Sequence, residues 1–188
     1  MNSEYIETSR AIYENAEPEY RRYYFDEIAG GFVLIHQQHN LNNSEIFLAE
    51  VLAKIGKRVR MLSEQAAEGV RTPDAEIDGE ICEFKELTQQ TQNIRDRVQE
   101  GISRSKKQGA SAVVFHINRE NYDVWKINAG IKQALFWDTE KQIQKIFFVV
   151  NSEQSEIITR EEWNNGRSFQ RIQRDCSAGI AEQYAARC

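Results

Sequence analysis

The sequence predicts an α/β domain, a mixed sheet with helices on both faces, and three observations carry that prediction. Asp78-Gly79 stands between two short alternating runs, a hairpin signal that makes part of the sheet antiparallel. Two nearly continuous apolar runs, at 112–117 and 144–150, have the pattern of strands buried on both faces. Helical periodicity precedes each of them, at 92–108 and 122–137, which calls for parallel crossovers.

Taken in order, residues 4–25 read as helix, interrupted near Pro18, and Gly30-Gly31 marks a turn. Residues 32–36 form a short strand and 40–43 a loop. Asn42, with Glu45 three residues later, has the spacing of a capping box. The helix it opens spans 45–55, with Leu48, Val51, Leu52 and Ile55 on its apolar face, and Gly56 ends it. Residues 57–62 alternate as a strand, and 63–72 are a polar loop. The hairpin arms are 74–77 and 80–85. Ile94, Val98, Ile102 and Ser105 give the next helix one face, and Gly109 stops it. Residues 161–187 read as one or two helices. Their Trp163, Phe169, Ile172, Cys176, Ile180 and Tyr184 form a core or dimer stripe rather than a ligand set. This order implies a core at 41–150, an N-terminal helical and strand extension at 1–40, and a C-terminal helical extension at 151–188 packed on the core.

Composition narrows the function classes. Of 188 residues, 40% are hydrophobic and 28% charged, a globular balance sufficient for a core without disulfides or a structural metal. The apolar runs are too short to cross a membrane, and the acidic, polar first twenty residues carry no secretory signal. Three scattered cysteines (Cys82, Cys176, Cys188) suit a reducing compartment, hence a cytoplasmic site of action. The net charge of −5 is uneven: residues 1–50 hold nine acidic and three basic side chains, and the remainder is nearly balanced. The basic residues there cluster as Lys54, Lys57, Arg58 and Arg60, and as Arg95, Arg97, Arg104, Lys106 and Lys107. Either cluster alone reads as a solvated face.

The chemistry points to the hairpin. With Asp78-Gly79 as the turn, Ile77 pairs with Glu80, Glu76 with Ile81, Ala75 with Cys82 and Asp74 with Glu83. Asp74 and Glu83 then stand opposite each other on one face, Cβ atoms roughly 5 Å apart. Lys85 shares that face, while Cys82 and Phe84 point to the core. Opposed carboxylates repel, and Mg²⁺ or Mn²⁺, which prefers such oxygen ligands, would remove the conflict. Lys85 would then bind a phosphate oxygen, position water or stabilise developing charge. An exposed hairpin whose Lys85 neutralises either carboxylate explains the pattern taken alone at least as well. Three features favour the metal: Pro73 fixes the backbone before Asp74, a helix carrying Glu45 lies upstream, and a basic helix follows. His36, His39 and His116 are too dispersed for a metal triad. His116, at the end of a buried strand, reads as a satisfied core histidine.

In order, Glu45, Pro73-Asp74, Glu83-Phe84-Lys85, the basic helix at 92–108 and the strand at 112–117 resemble the αβββαβ core of the PD-(D/E)XK nuclease superfamily. More narrowly, five parts are similar to the C-terminal tRNA-nuclease domain family of contact-dependent growth inhibition (CdiA) toxins. They are Glu45-x-x-x-Ala49-x-x-Leu52-x-x-x-Gly56, the run Arg60 to Glu64, Pro73-Asp74, Asp78-Gly79 with Glu83-x-Lys85, and Lys107-Gln108 before the apolar strand. The resemblance implies a metal-dependent endonuclease acting on tRNA or other RNA first and on DNA second. It implies Asp74 and Glu83 as metal ligands, Lys85 as the catalytic lysine and Glu45 as the helix carboxylate, with Glu50 a second candidate. Arg95, Arg104, Lys106, Lys107 and Gln108 would contact nucleic acid. It also implies a cognate immunity protein and action in a target-cell cytoplasm after delivery. The competing expectation is a non-catalytic module that binds nucleic acid or protein on the same fold.

Overall fold

The computed structural model describes residues 3–40, 42–65, 72–151 and 154–171. Eight strands lie side by side in chain order. They are β1 (Tyr20–Phe25), β2 (Phe32–His36), β3 (Arg58–Met61), β4 (Ala75–Ile77), β5 (Glu80–Thr88), β6 (Ala112–Asn118), β7 (Lys145–Val149) and β8 (Ser155–Thr159). The helices are α1 (Ser3–Glu14), α2 (Asn43–Lys54), α3 (Ile94–Lys107), α4 (Val124–Trp137) and α5 (Arg160–Asn164).

The mixed sheet follows from its connections. β2 and β3, β5 and β6, and β6 and β7 are parallel, and α2, α3 and α4 bridge those pairs. Every other pair is antiparallel. Strand alternation divides the core in two. Val113, Phe115 and Ile117 of β6 pack with α3 and α4, while Ala112 and Val114 join Leu48 and Leu52 of α2 on the opposite face.

The hairpin has the expected register, with Ile77 opposite Glu80, Glu76 opposite Ile81 and Ala75 opposite Cys82. Asp78 and Gly79 both take positive φ, 51° and 85°, as a two-residue hairpin turn of this hand requires. β4 has only three residues against nine in β5, so β5 runs on past its partner. That overhang opens the space in which the candidate site lies.

Three local expectations are corrected. Residues 20–25 form β1, not the end of a helix. Their Tyr and Phe side chains favour a strand, and the chain turns at Pro18 before pairing Tyr20 with His36. β8 lies within 151–188, expected as a helical extension, yet it is a strand of the sheet paired with β7. α5 has only five residues, residues 165–171 of the one or two helices expected over 161–187 are not helical, and the remainder, including Ile172, Cys176, Ile180 and Tyr184, lies outside the described residues. Phe169 is fully buried, its ring 4.3 Å from that of Phe148. β1, β2 and β8 belong to the same sheet as residues 41–150. Among the described residues, no helix is long and apolar enough to cross a membrane.

Candidate active site

Alternation along β5 turns Cys82 and Phe84 toward α2, and Glu83, Lys85 and Leu87 toward α3. Beyond Ala75 the ladder with β4 gives way to side-chain bonding. Asp74 Oδ2 accepts the Phe84 N–H at 2.6 Å, which fixes the carboxyl beside Glu83. Glu83 is 1% exposed, its Oε2 accepts from Lys85 Nζ at 2.5 Å, and its Oε1 is buried without a hydrogen-bond partner. Lys85 Nζ also donates to the Phe84 carbonyl at 3.0 Å and stands 4.0 Å from Asp74 Oδ2.

One lysine thus faces two carboxylates. Burial, reinforced by the charges of Glu83 and Glu45, pushes the Asp74 carboxyl up to about 7, against the pull of the Phe84 N–H and Lys85. An orphaned buried carboxylate oxygen beside a second carboxyl that resists ionisation is a site short of positive charge. Its donors are all hard oxygens. That set fits a divalent cation such as Mg²⁺ or Mn²⁺.

α2 brings Glu45 to the same cavity, which measures about 510 Å³ and also takes in Asp74, Glu83, Lys85, Arg97 and Arg104. Asn42 caps this helix by accepting the Ser44 N–H at 2.9 Å, so the reciprocal box gives way to a single cap. Glu45 Oε2 lies 3.4 Å from His39 Nε2. Glu50 turns away and accepts from the Tyr23 hydroxyl at 3.1 Å.

α3 supplies the basic wall. Arg97, Gly101, Arg104 and Gln108 line the cavity at spacings of four, three and four, one face of a helix. Gly101 is needed at the crossing. A Cβ there would meet Phe115 Cζ at 2.9 Å and Lys85 Cγ at 3.5 Å. Arg104 and Gln108 were expected here. Arg97 belonged to the same cluster but was not singled out, although its spacing from Arg104 and Gln108 was the available signal. Arg95, Lys106 and Lys107 do not line the cavity. Arg95 pairs with Asp96 at 2.9 Å, and Lys106 with Asp138 and Glu140 at 3.1 Å each.

Two further residues meet Glu45: His39, which the sequence reading set aside as too dispersed for a metal triad, and Glu64, which it noted only within the run Arg60 to Glu64. His39 is 7% exposed, and Glu64 follows β3. Burial lowers the His39 pKa, but Glu45, the Leu62 carbonyl and Glu64 outweigh it and raise the pKa above the ordinary imidazole value. Only the fold reveals this pair, because β2 and β3 bring residues 39 and 64 together. His116 is the core histidine expected, 2.9 Å from Ser44 Oγ and packed on Phe47. A second cavity, of about 610 Å³, includes Lys57, Arg58 and Arg60. Those cations are engaged with Asp78, Ser9 and Glu17.

No curated protein matches the chain. A solved CdiA-CT/CdiI toxin and immunity complex from Burkholderia pseudomallei is similar at 18% identity and a TM-score of 0.43, over 60% of this chain and 79% of that one. The family model of the contact-dependent growth inhibition CdiA C-terminal domain matches residues 71–155, which hold Asp74, Glu83, Lys85 and the whole of α3.

Proposed function

We propose that the protein is a metal-dependent endonuclease of the CdiA toxin type, hydrolysing phosphodiester bonds in the cytoplasm of a target cell. One observation carries the reading: Asp74 and the buried Glu83 converge with Lys85 under the basic face of α3, leaving Glu83 Oε1 without a partner. Asp74 and Glu83, with Glu45 from α2, would hold Mg²⁺ or Mn²⁺. When bound, such a cation supplies Lewis-acid polarisation of the phosphate and a more acidic water.

The other roles belong to this chain's own side chains. Arg97 and Arg104 attract the phosphate backbone and place one diester over the carboxylates. Lys85, released from Glu83 when that carboxylate takes another partner, donates hydrogen bonds to the attacking water or to the phosphoryl oxygens as charge develops. Gln108 contributes an amide at the end of the basic wall.

RNA, with tRNA first, is the proposed substrate, and DNA is the second. The family match at 71–155 supports a toxin of this class without fixing the polymer. Such an enzyme would attack the producing cell's own nucleic acid, so an immunity protein that covers the cavity belongs to the proposal. A non-catalytic module draws support from the Lys85–Glu83 ion pair, which neutralises part of the site without any metal.

Cleavage assays separate the two readings. Wild type, Lys85→Ala and Asp74→Asn are incubated with tRNA, other RNA, and single- and double-stranded DNA, in Mg²⁺, Mn²⁺ or EDTA. Cleavage by wild type that EDTA stops, and that Lys85→Ala lowers by about 10²–10³-fold, is the expected result. Divalent-dependent binding with no cleavage of any substrate would leave the binding module.

A further inference from the structure

We propose that His39, Glu45 and Glu64 form a second cation site, separate from the Asp74–Glu83 pair and built for a transition-metal ion such as Zn²⁺. One ligand atom from each of the three lies within 4.8 Å of the others. The deciding feature is His39. Its side chain is shut off from solvent, and Nε2 has no hydrogen-bond partner.

The other ring nitrogen explains why. His39 Nδ1 lies 2.8 Å from the Leu62 carbonyl, which can only accept, so Nδ1 carries the proton. With the ring neutral, as ligation of a metal requires, the Nε2 lone pair would face Glu45 Oε2, 3.4 Å away. Metal-binding histidines have this arrangement, one nitrogen donating to a backbone carbonyl and the other free for the ion. Glu64 is held in place by Asn40, whose N–H and Nδ2 donate to it at 3.2 and 2.7 Å. One imidazole and two carboxylates suit Zn²⁺ better than Mg²⁺, which takes oxygen ligands. The same three groups without a metal would be an imidazolium held between two carboxylates. The site shares Glu45 with the nuclease reading, while His39 and Glu64 take no part in that reading.

The test uses the full chain with Asp74→Asn and Glu83→Gln combined, which removes the oxygen pair. Co²⁺, read by its visible absorption, and Zn²⁺, by equilibrium dialysis, are the probes. This double variant should still bind about one equivalent, with a Co²⁺ spectrum showing nitrogen ligation. Adding His39→Gln or Glu64→Gln should weaken binding about ten-fold or more. Glu64 is partly exposed, so its variant reports even where loss of the buried His39 disturbs folding. Absence of binding in the double variant, or affinity unchanged by Glu64→Gln in a folded protein, would overturn the site and leave the ion-paired histidine. Retained cleavage in the wild type would not rescue it.

Discussion

At the scale of single residues, Asp74 and Lys85 make opposite statements about the same site. The folded state raises Asp74 from an ordinary 3.8 to about 7, so between those values the native protein binds a proton that the unfolded chain releases. Stability therefore falls as pH rises through that window, on the order of 1–3 kcal/mol from this group. Melting in EDTA should drop from pH 5 to pH 8, Asp74→Asn should flatten that drop, and Mg²⁺ should reverse it in the wild type alone. Lys85 does the reverse, giving the Glu83 carboxylate a cationic partner in a place with almost no solvent. Replacing it with Met leaves that charge unpaired and should cost about 3–5 kcal/mol in EDTA, read by urea unfolding. Glu83→Gln removes the charge itself and should cost less. The opposed carboxylates and the lysine beside them were legible from the hairpin register alone. The burial of Glu83 was not, because it depends on α3 crossing over β5 at Gly101.

At the scale of elements, α3 divides its cations between two tasks. Arg97 and Arg104 line the cavity, Arg104 in an exposed pair with Glu100 at 3.2 Å, whereas Arg95 and Lys106 bind carboxylates beyond it. Each Arg that meets a phosphate releases counterions on binding. Arg97→Ala and Arg104→Ala should therefore each reduce the slope of log affinity against log salt by about 0.7–0.9. Arg95→Ala and Lys107→Ala should leave the slope unchanged, and a catalytically weakened variant such as Lys85→Ala permits the measurement without cleavage. The sequence showed the cluster but not the division, since ion pairs to Asp138 and Glu140 arise from α4 and the loop after it. β1 was hidden for a related reason. Its aromatic residues continue the apolar pattern of α1, and only pairing with β2 decides that they are extended.

At the scale of the whole molecule, one buried carboxylate ties the far end of the sheet to α3. Asp138 caps α4 and is 3% exposed. It accepts from the Ile143 N–H at 2.9 Å, pairs with Lys106 at 3.1 Å, and meets the guanidinium of Arg160 at the junction of β8 and α5. Burial alone would raise its pKa, but the Ile143 and Gln142 N–H groups, Lys106 and Arg160 together hold it below the ordinary value. Its contribution is thus present above the ordinary carboxylate range and lost as pH falls through the lowered value, opposite in sign to that of Asp74. Asp138→Ala leaves Arg160 without a carboxylate and Lys106 with Glu140 alone, and should destabilise by about 3–5 kcal/mol, a fall in melting temperature of about 6–20 °C for a domain of this size. Amide exchange should rise first in β8, α5 and the last turn of α4, because β8 is the terminal strand of the sheet and this junction anchors its end. Below its melting point the variant should retain cation binding at Asp74 and Glu83, which sit on β5, three strands away from β8. Loss of that binding in the folded variant would mean that the site depends on the whole sheet rather than on the hairpin and α3.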